Sequence, residues 1–135
     1  MENLTNIEPI WVEEDVLLAI HQRQLAEHGG LEGVRDLGLL QSALARPRHA
    51  FAYTPDIELT MLAAAHAFGI AKNHPFIDGN KRTAYIAARL FLMRNGFDIQ
   101  ASREDKYLAM IALAEGQWGE EEYARWLKKA VAPRA

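Results

Sequence analysis

The sequence predicts a compact all-α bundle of six helices around a buried central helix, with at most a small two-stranded β decoration. Three observations carry this. Apolar residues recur at spacings of three and four over most of the chain, the period of a helical face. Two segments, Leu59 to Ala71 and Ala84 to Met93, are apolar on most faces, as only buried helices are. Capping residues, glycines and prolines fall between the periodic stretches. The 135 residues suit one domain with a single core, so 1–135 is read as one unit with residues 1–9 as a polar lead-in.

Taken in order, Pro9 to Val12 suits a short extended piece. Glu13 to Glu27 carries apolar residues at Val16, Leu17 and Ile20, less regularly at Leu25 and Ala26, and reads as an amphipathic helix ended by Gly29 and Gly30. Residues 31–36 form a loop in which Arg35 and Asp36 are expected to pair. Asp36 also caps a second helix, Leu37 to Ala45, which Pro47 stops. Residues 47–57 then read as a loop carrying Arg48, His49, Phe51 and Tyr53. Thr54 caps a third helix with Pro55 at its first position, running to about Asn73. The fourth helix runs from about Gly79 to Arg94 with Asp78 as its cap. Arg82, Tyr85 and Arg89 share one edge of it by their spacing. After Asn95-Gly96, Phe97 to Ala101 suits a brief strand. Ser102 caps a fifth helix, Arg103 to Ala114, with Asp105 in the capping-box position. Gly116 to Gly119 turns into a sixth, Glu120 to about Val131, with Tyr123, Trp126 and Leu127 inward.

Composition narrows the function. A net charge of −3 and a pI near 5.9 speak against broad binding to nucleic acid or an anionic membrane. The charge is uneven, however. Lys72, Lys81, Arg82, Arg89 and Arg94 face a single acid, Asp78, within one segment. A local basic site in an acidic chain suits a small phosphate ligand better than a duplex. With no cysteine there is neither disulfide nor thiolate metal site. The acidic start, with Glu2, Glu8, Glu13 and Glu14, has no apolar leader, and no apolar run is long enough to span a bilayer. A cytoplasmic protein is expected.

The chemistry concentrates in residues 74–82, His-Pro-Phe-Ile-Asp-Gly-Asn-Lys-Arg, set between the two apolar helices. Pro75 cannot continue the third helix, and it pushes His74 out of helical geometry. Lys81 and Arg82 fall in the first turn of the fourth helix, the wrong end of its dipole for cations by roughly 0.3–1 kcal/mol each. A bound anion reverses that penalty, because free backbone N–H groups with Lys and Arg make a phosphate cradle. An imidazole, which ordinarily titrates near ~6.5, can accept a proton from a hydroxyl at neutral pH. His74 is therefore the candidate base. One carboxylate plus nucleotide phosphates is the usual way to hold Mg²⁺, which makes Asp78 the candidate metal ligand. Asn80 can offer an amide N–H to a phosphate oxygen. Phe76 and Ile77 read as anchors that pack the loop, and His66 as a satisfied core histidine.

His74, Phe76, Asp78, Gly79, Asn80, Lys81 and Arg82 resemble the active-site motif of the Fic/Doc superfamily, H-x-F-x-[DN]-[AG]-N-K-R. Lys81 stands where the Fic adenylyltransferases have glycine, so the chain resembles the Doc (death-on-curing) toxin branch. His28 to Asp36, Leu40 to Pro47 and Leu92 to Phe97 extend the similarity to roughly residues 10–130. The resemblance implies a toxin of a toxin–antitoxin module. Such proteins move the γ-phosphate of ATP onto a protein hydroxyl, a threonine of elongation factor Tu, and arrest translation. It implies His74, Asp78, Lys81 and Arg82 as catalytic, Gly79, Asn80, Lys81 and Arg82 as nucleotide-binding, Asp78 on Mg²⁺, and Arg48, His49, Phe51 and Tyr53 as a target-docking loop. Two alternatives stand beside this: a Fic-type adenylyltransferase moving AMP, and a non-catalytic protein-binding module. Many Fic proteins carry an inhibitory helix, [ST]-x-x-x-E-[GN]. Glu115-Gly116 fails that pattern because Ile111 occupies its first position. The expected brake is a Phd-like antitoxin whose disordered C-terminal segment folds onto this protein, any DNA contact being the antitoxin's.

Overall fold

In the computed structural model, which describes residues 7–134, six helices follow one another: α1 (Glu14–His28), α2 (Leu37–Tyr53), α3 (Leu59–Asn73), α4 (Asn80–Arg94), α5 (Arg103–Ala114) and α6 (Glu120–Ala130). Two short strands, β1 (Phe97–Ile99) and β2 (Val131–Pro133), pair antiparallel with Asp98 opposite Ala132. The expected all-α bundle with a small two-stranded addition is what forms. The strand partner comes from the chain after α6, which ends at Ala130 rather than Val131. Residues 1–6 of the expected lead-in, Glu2 among them, lie outside the described residues.

α3 is the centre. Ten of its residues are buried, from Thr60 to Ala71, and it packs on α2, α4 and α6. Its alanines let neighbouring helices come close. At Gly69 an added Cβ would stand 3.2 Å from the Cα of Ala43 on α2, so any side chain here would push the two helices apart by a few tenths of an ångström. The aromatic part of the core gathers at Trp11, Phe51, His66 and Phe91. Trp11 stacks on Phe91 at 5.8 Å and meets Phe51 edge-on at 5.9 Å. His66 is the core histidine expected, with Nδ1 2.8 Å from the Leu62 carbonyl.

Two helix boundaries depart from expectation by more than a residue. α2 does not stop at Pro47 but runs through it to Tyr53. The proline removes one hydrogen bond and frees the Ala43 carbonyl. Helix beyond it is held by packing: Pro47 is buried, Ala50 and Phe51 pack on the core, and Arg48 bonds Glu13 at 2.8 Å. Accordingly Thr54 is the residue that closes α2, its N–H bonded to Ala50, and Thr54 to Ile57 form a turn before α3 begins at Leu59. By contrast α5 has the limits its signals predict, and the Ser102 hydroxyl accepts from the Asp105 N–H at 3.0 Å.

Candidate active site

Residues 74–82 are placed by the ends of the two most buried helices. α3 ends at Asn73, and His74 takes left-handed geometry, φ 49° and ψ 55°. Among the described residues it is the one non-glycine with positive φ. This lets the chain leave the helix sharply into Pro75, whose ring forbids a further helical turn. Phe76 is fully buried and anchors the segment, whereas Ile77 stays half exposed, so only one of the two expected anchors packs inward. Gly79, at φ 78°, makes the turn into α4.

Asp78 is not the cap of α4. Gly79 holds that position, and no side chain caps the helix. The Asp78 carboxylate instead accepts from the Gly79 N–H at 2.9 Å and from the Leu31 N–H at 3.2 Å, tying the 29–36 loop to the motif. It remains solvent-exposed. The Asn80 side chain is also committed elsewhere than expected. It is buried and exchanges two 3.0 Å hydrogen bonds with the backbone N–H and C=O of Phe76. Its side-chain amide is therefore a staple for the loop, and what it can offer a ligand is its main-chain N–H.

α4 thus opens with its first donors free. Its earliest internal bond is Thr83 N–H to the Gly79 carbonyl, leaving the N–H groups of Asn80, Lys81 and Arg82 without helical partners. Lys81 and Arg82 are exposed on this first turn, where the helix also carries no acid. They line a cleft of about 590 Å³ together with His74, Asp78, Gly79 and Asn80. The opposite wall comes from α5, through Lys106, Tyr107, Met110 and Ile111. The motif residues His74, Asp78, Gly79, Lys81 and Arg82 all reach this space.

The wider basic segment disperses. Arg89 makes a two-pronged pair with Asp98, at 2.9 and 3.2 Å, which holds the Asp98 carboxyl below its usual range. Arg94 donates to the Trp11 carbonyl. Lys106 from α5 takes their place beside the cleft. Tyr85 lines the cleft as well; burial raises its phenol above the ordinary value, with Arg89 opposing and Asp98 reinforcing.

The expected docking loop is not a loop, and none of its four residues lines this cleft. Arg48 and Phe51 are occupied with Glu13 and Trp11, while His49 and Tyr53 line a separate shallow groove with Arg46 and Glu120. The segment beside the motif is the 29–36 loop. Its Val34 bridges Phe76, and the Ile77 N–H bonds the Gly33 carbonyl at 3.1 Å. Arg35 and Asp36 do not pair with each other. Asp36 caps α2 through the Leu39 N–H, and Arg35 bonds the main chain at residues 73–75.

A fit test for Mg²⁺ follows from the donors present. Among the described residues no three His, Cys, Asp or Glu side chains cluster as a metal cage. A single exposed carboxylate, Asp78, beside the free N–H groups of α4 and the cationic Lys81 and Arg82 does fit a cation held mainly by ligand phosphates and water.

The profile of the Fic/DOC family matches residues 11–92, from the core tryptophan to the last turn of α4. The chain is 34% identical over 93 residues to a protein kinase doc of Escherichia phage P1, covering 69% of this chain and 74% of that protein. It is 47% identical over 90 residues to a toxin Doc of Mycolicibacterium smegmatis, covering 65% of each, just under two thirds of the relative's length. With the motif seated in a cleft and the match spanning the core that seats it, the chain belongs to the Fic/DOC family, on its Doc branch.

Proposed function

We propose that this chain is a toxin of a toxin–antitoxin module that transfers the γ-phosphate of ATP to a protein hydroxyl, with a threonine of elongation factor Tu as the acceptor and arrested translation as the result. The observation that carries the reading is the exposed His74 facing the same cleft as the unpartnered start of α4, with Lys81 and Arg82 on its rim. The similarity to a protein named as a kinase and to one named as a toxin supports it.

The chemistry asked of the residues is modest. Phosphoryl transfer needs positioning and charge stabilisation more than covalent help. The N–H groups of residues 80–82 and the Arg82 guanidinium receive phosphate oxygens, Arg82 two at a time. Lys81 is a mobile point charge that follows the charge as it shifts toward the leaving group. The acceptor hydroxyl loses its proton to His74 as its oxygen bonds to the γ-phosphorus, and the bond to the bridging oxygen breaks to release ADP. Asp78 would hold Mg²⁺, which supplies charge neutralisation of the phosphates. Tyr107, Met110 and Ile111 offer the adenine ring of ATP an apolar wall.

Labelled ATP tests this. Label from the γ position should appear on elongation factor Tu, and a His74→Ala protein should lose transfer while still binding nucleotide. Label from the α position instead would assign the reaction to AMP transfer. A His74→Ala protein that transfers at the parent rate would remove the histidine from its role as base. We further propose that a Phd-like antitoxin restrains the enzyme in trans. Added to the labelling assay, it should abolish transfer.

A further inference from the structure

We infer that Arg35 and His21 are positioning residues that clamp the loop between α3 and α4, residues 74–79, at its two ends, and so set the imidazole of His74 relative to the free N–H groups that open α4. The inference rests on the proposed transfer reaction for its kinetic readout, not for its structural one.

The first clamp acts on three successive carbonyls. Arg35 Nε donates to His74 O at 2.7 Å, its Nη2 to Asn73 O at 2.8 Å, and its backbone N–H to Pro75 O at 2.7 Å. These include carbonyls that a helix end leaves without partners. A left-handed histidine persists only when its surroundings hold it, and Arg35 fixes the peptide planes on both sides of His74. The planar fork of a guanidinium serves two acceptors at once, and an ammonium has no such fixed geometry.

The second clamp comes from α1. His21 is 3% exposed and lies flat on Phe76, ring centroids 3.8 Å apart and planes 7° from parallel. Its Nε2 stands 2.7 Å from the Asp78 carbonyl. A carbonyl only accepts, so this nitrogen carries the proton. An apolar ring would stack as well as imidazole does. What the histidine adds is a grip on the peptide that joins Asp78 to Gly79, immediately before the free N–H groups of α4. Neither Arg35 nor His21 lines the cleft, so each acts through the residues it holds.

The two ends should therefore fail differently. Arg35→Met should misplace the base, lowering kcat by about 10- to 100-fold with the KM for ATP nearly unchanged. His21→Phe keeps the stack but loses the donor. It should misplace the cradle, raising the KM and Kd for ATP by about tenfold. Arg35→Lys should restore little, whereas His21→Gln, which keeps a donor near the Nε2 position, should restore part. The full chain is assayed for γ-label transfer to elongation factor Tu, for binding of Mg²⁺–ATP, and for amide exchange over residues 73–79. Exchange there should speed in both variants while the α3 core stays protected. If a variant fails to fold by circular dichroism, Arg35→Lys, which lacks the planar fork, or His21→Leu, which lacks the side-chain donor, carries the same comparison. Kinetics and exchange equal to the parent in both variants overturn the inference. So does an equal fall in kcat and rise in KM from either clamp. Should the parent chain itself transfer no label, the proposed reaction fails, and exchange alone decides: unchanged protection over 73–79 overturns the clamps, and selective loss supports them.

Discussion

Asn80→Ala isolates the staple that closes the motif loop. In the parent protein the Asn80 side chain satisfies both polar groups of the Phe76 backbone, each at 3.0 Å, inside a buried pocket. Alanine removes donor and acceptor together and leaves that N–H and C=O unpaired. An unpaired buried group costs about 1–3 kcal/mol. Water entering from the cleft recovers part of this, so a loss of about 2–4 kcal/mol is expected, on the order of 10 °C in Tm. Urea titration followed by tryptophan fluorescence measures it, because Trp11 is packed in the core against Phe91. The midpoint should fall with an unchanged slope. Asn80→Asp separates fold from ligand. It keeps the acceptor for the Phe76 N–H, turns the donor into a repelling oxygen, and sets a negative charge at the anion cradle. Its affinity for Mg²⁺–ATP should fall further than that of Asn80→Ala. A stability change under about 0.5 kcal/mol in Asn80→Ala would refute the argument, since surface substitutions that break nothing fall in that range.

Three more outcomes follow from the core. Gly69→Ala brings a Cβ to 3.2 Å from the Ala43 Cα and 3.3 Å from its carbonyl; separating the helices should cost about 1–3 kcal/mol, partly offset by alanine's better helix propensity, in chemical denaturation. Tyr123→Phe removes a buried hydroxyl that has no partner among the described residues, so stability should hold or rise slightly in the same assay. The third concerns pH. His66 has its pKa lowered from 6.5 to about 4, chiefly by burial, with nearby Arg48 in the same direction and the bond to Leu62 opposing. The unfolded chain then binds the proton first. Stability is complete above pH 6.5, falls as pH drops toward 4 by about 3 kcal/mol at most, and levels off below. His66→Gln should flatten that slope between pH 6.5 and 4, and a slope identical to the parent's would exclude His66 as its source.

Several elements of the fold were legible because their signals are local. Ser102 caps α5 as its type predicts, and Asn95-Gly96 closes α4. The errors sit where tertiary packing outweighs a local rule. Pro47 costs one hydrogen bond, but stopping α2 there would strip Ala50 and Phe51 from the core and Arg48 from Glu13. The Thr54-Pro55 signal is real turn chemistry, spent on a connection rather than a helix start. Asp78 has the side chain of a cap, yet Gly79 takes the left-handed turn that brings the chain into α4 without the steric cost a Cβ would add.

The candidate active site shows the same divide more sharply. Groups that would meet a ligand stand within nine consecutive residues, because two helix ends facing one another hold them without help from chain order. Groups that hold those residues in place come from far away. Arg35 reaches 39 residues along the chain to His74, and His21 reaches 57 to Asp78. A signal for His21 did exist: it stands four residues after Leu17, on the buried face of α1, where a polar ring must find a partner. Which partner no periodicity could say, since the answer depends on how α1 crosses the start of α4. The α5 wall of the cleft has the same origin. Tyr107, with 65% of its surface exposed, reads in sequence as an ordinary surface aromatic, and only the fold brings it opposite Lys81 and Arg82. Chemistry that must touch one small ligand can be written in one stretch of chain. The geometry that aims it has to be supplied by whatever packs behind, and that is distributed over elements whose own sequence does not say which backbone groups they will hold.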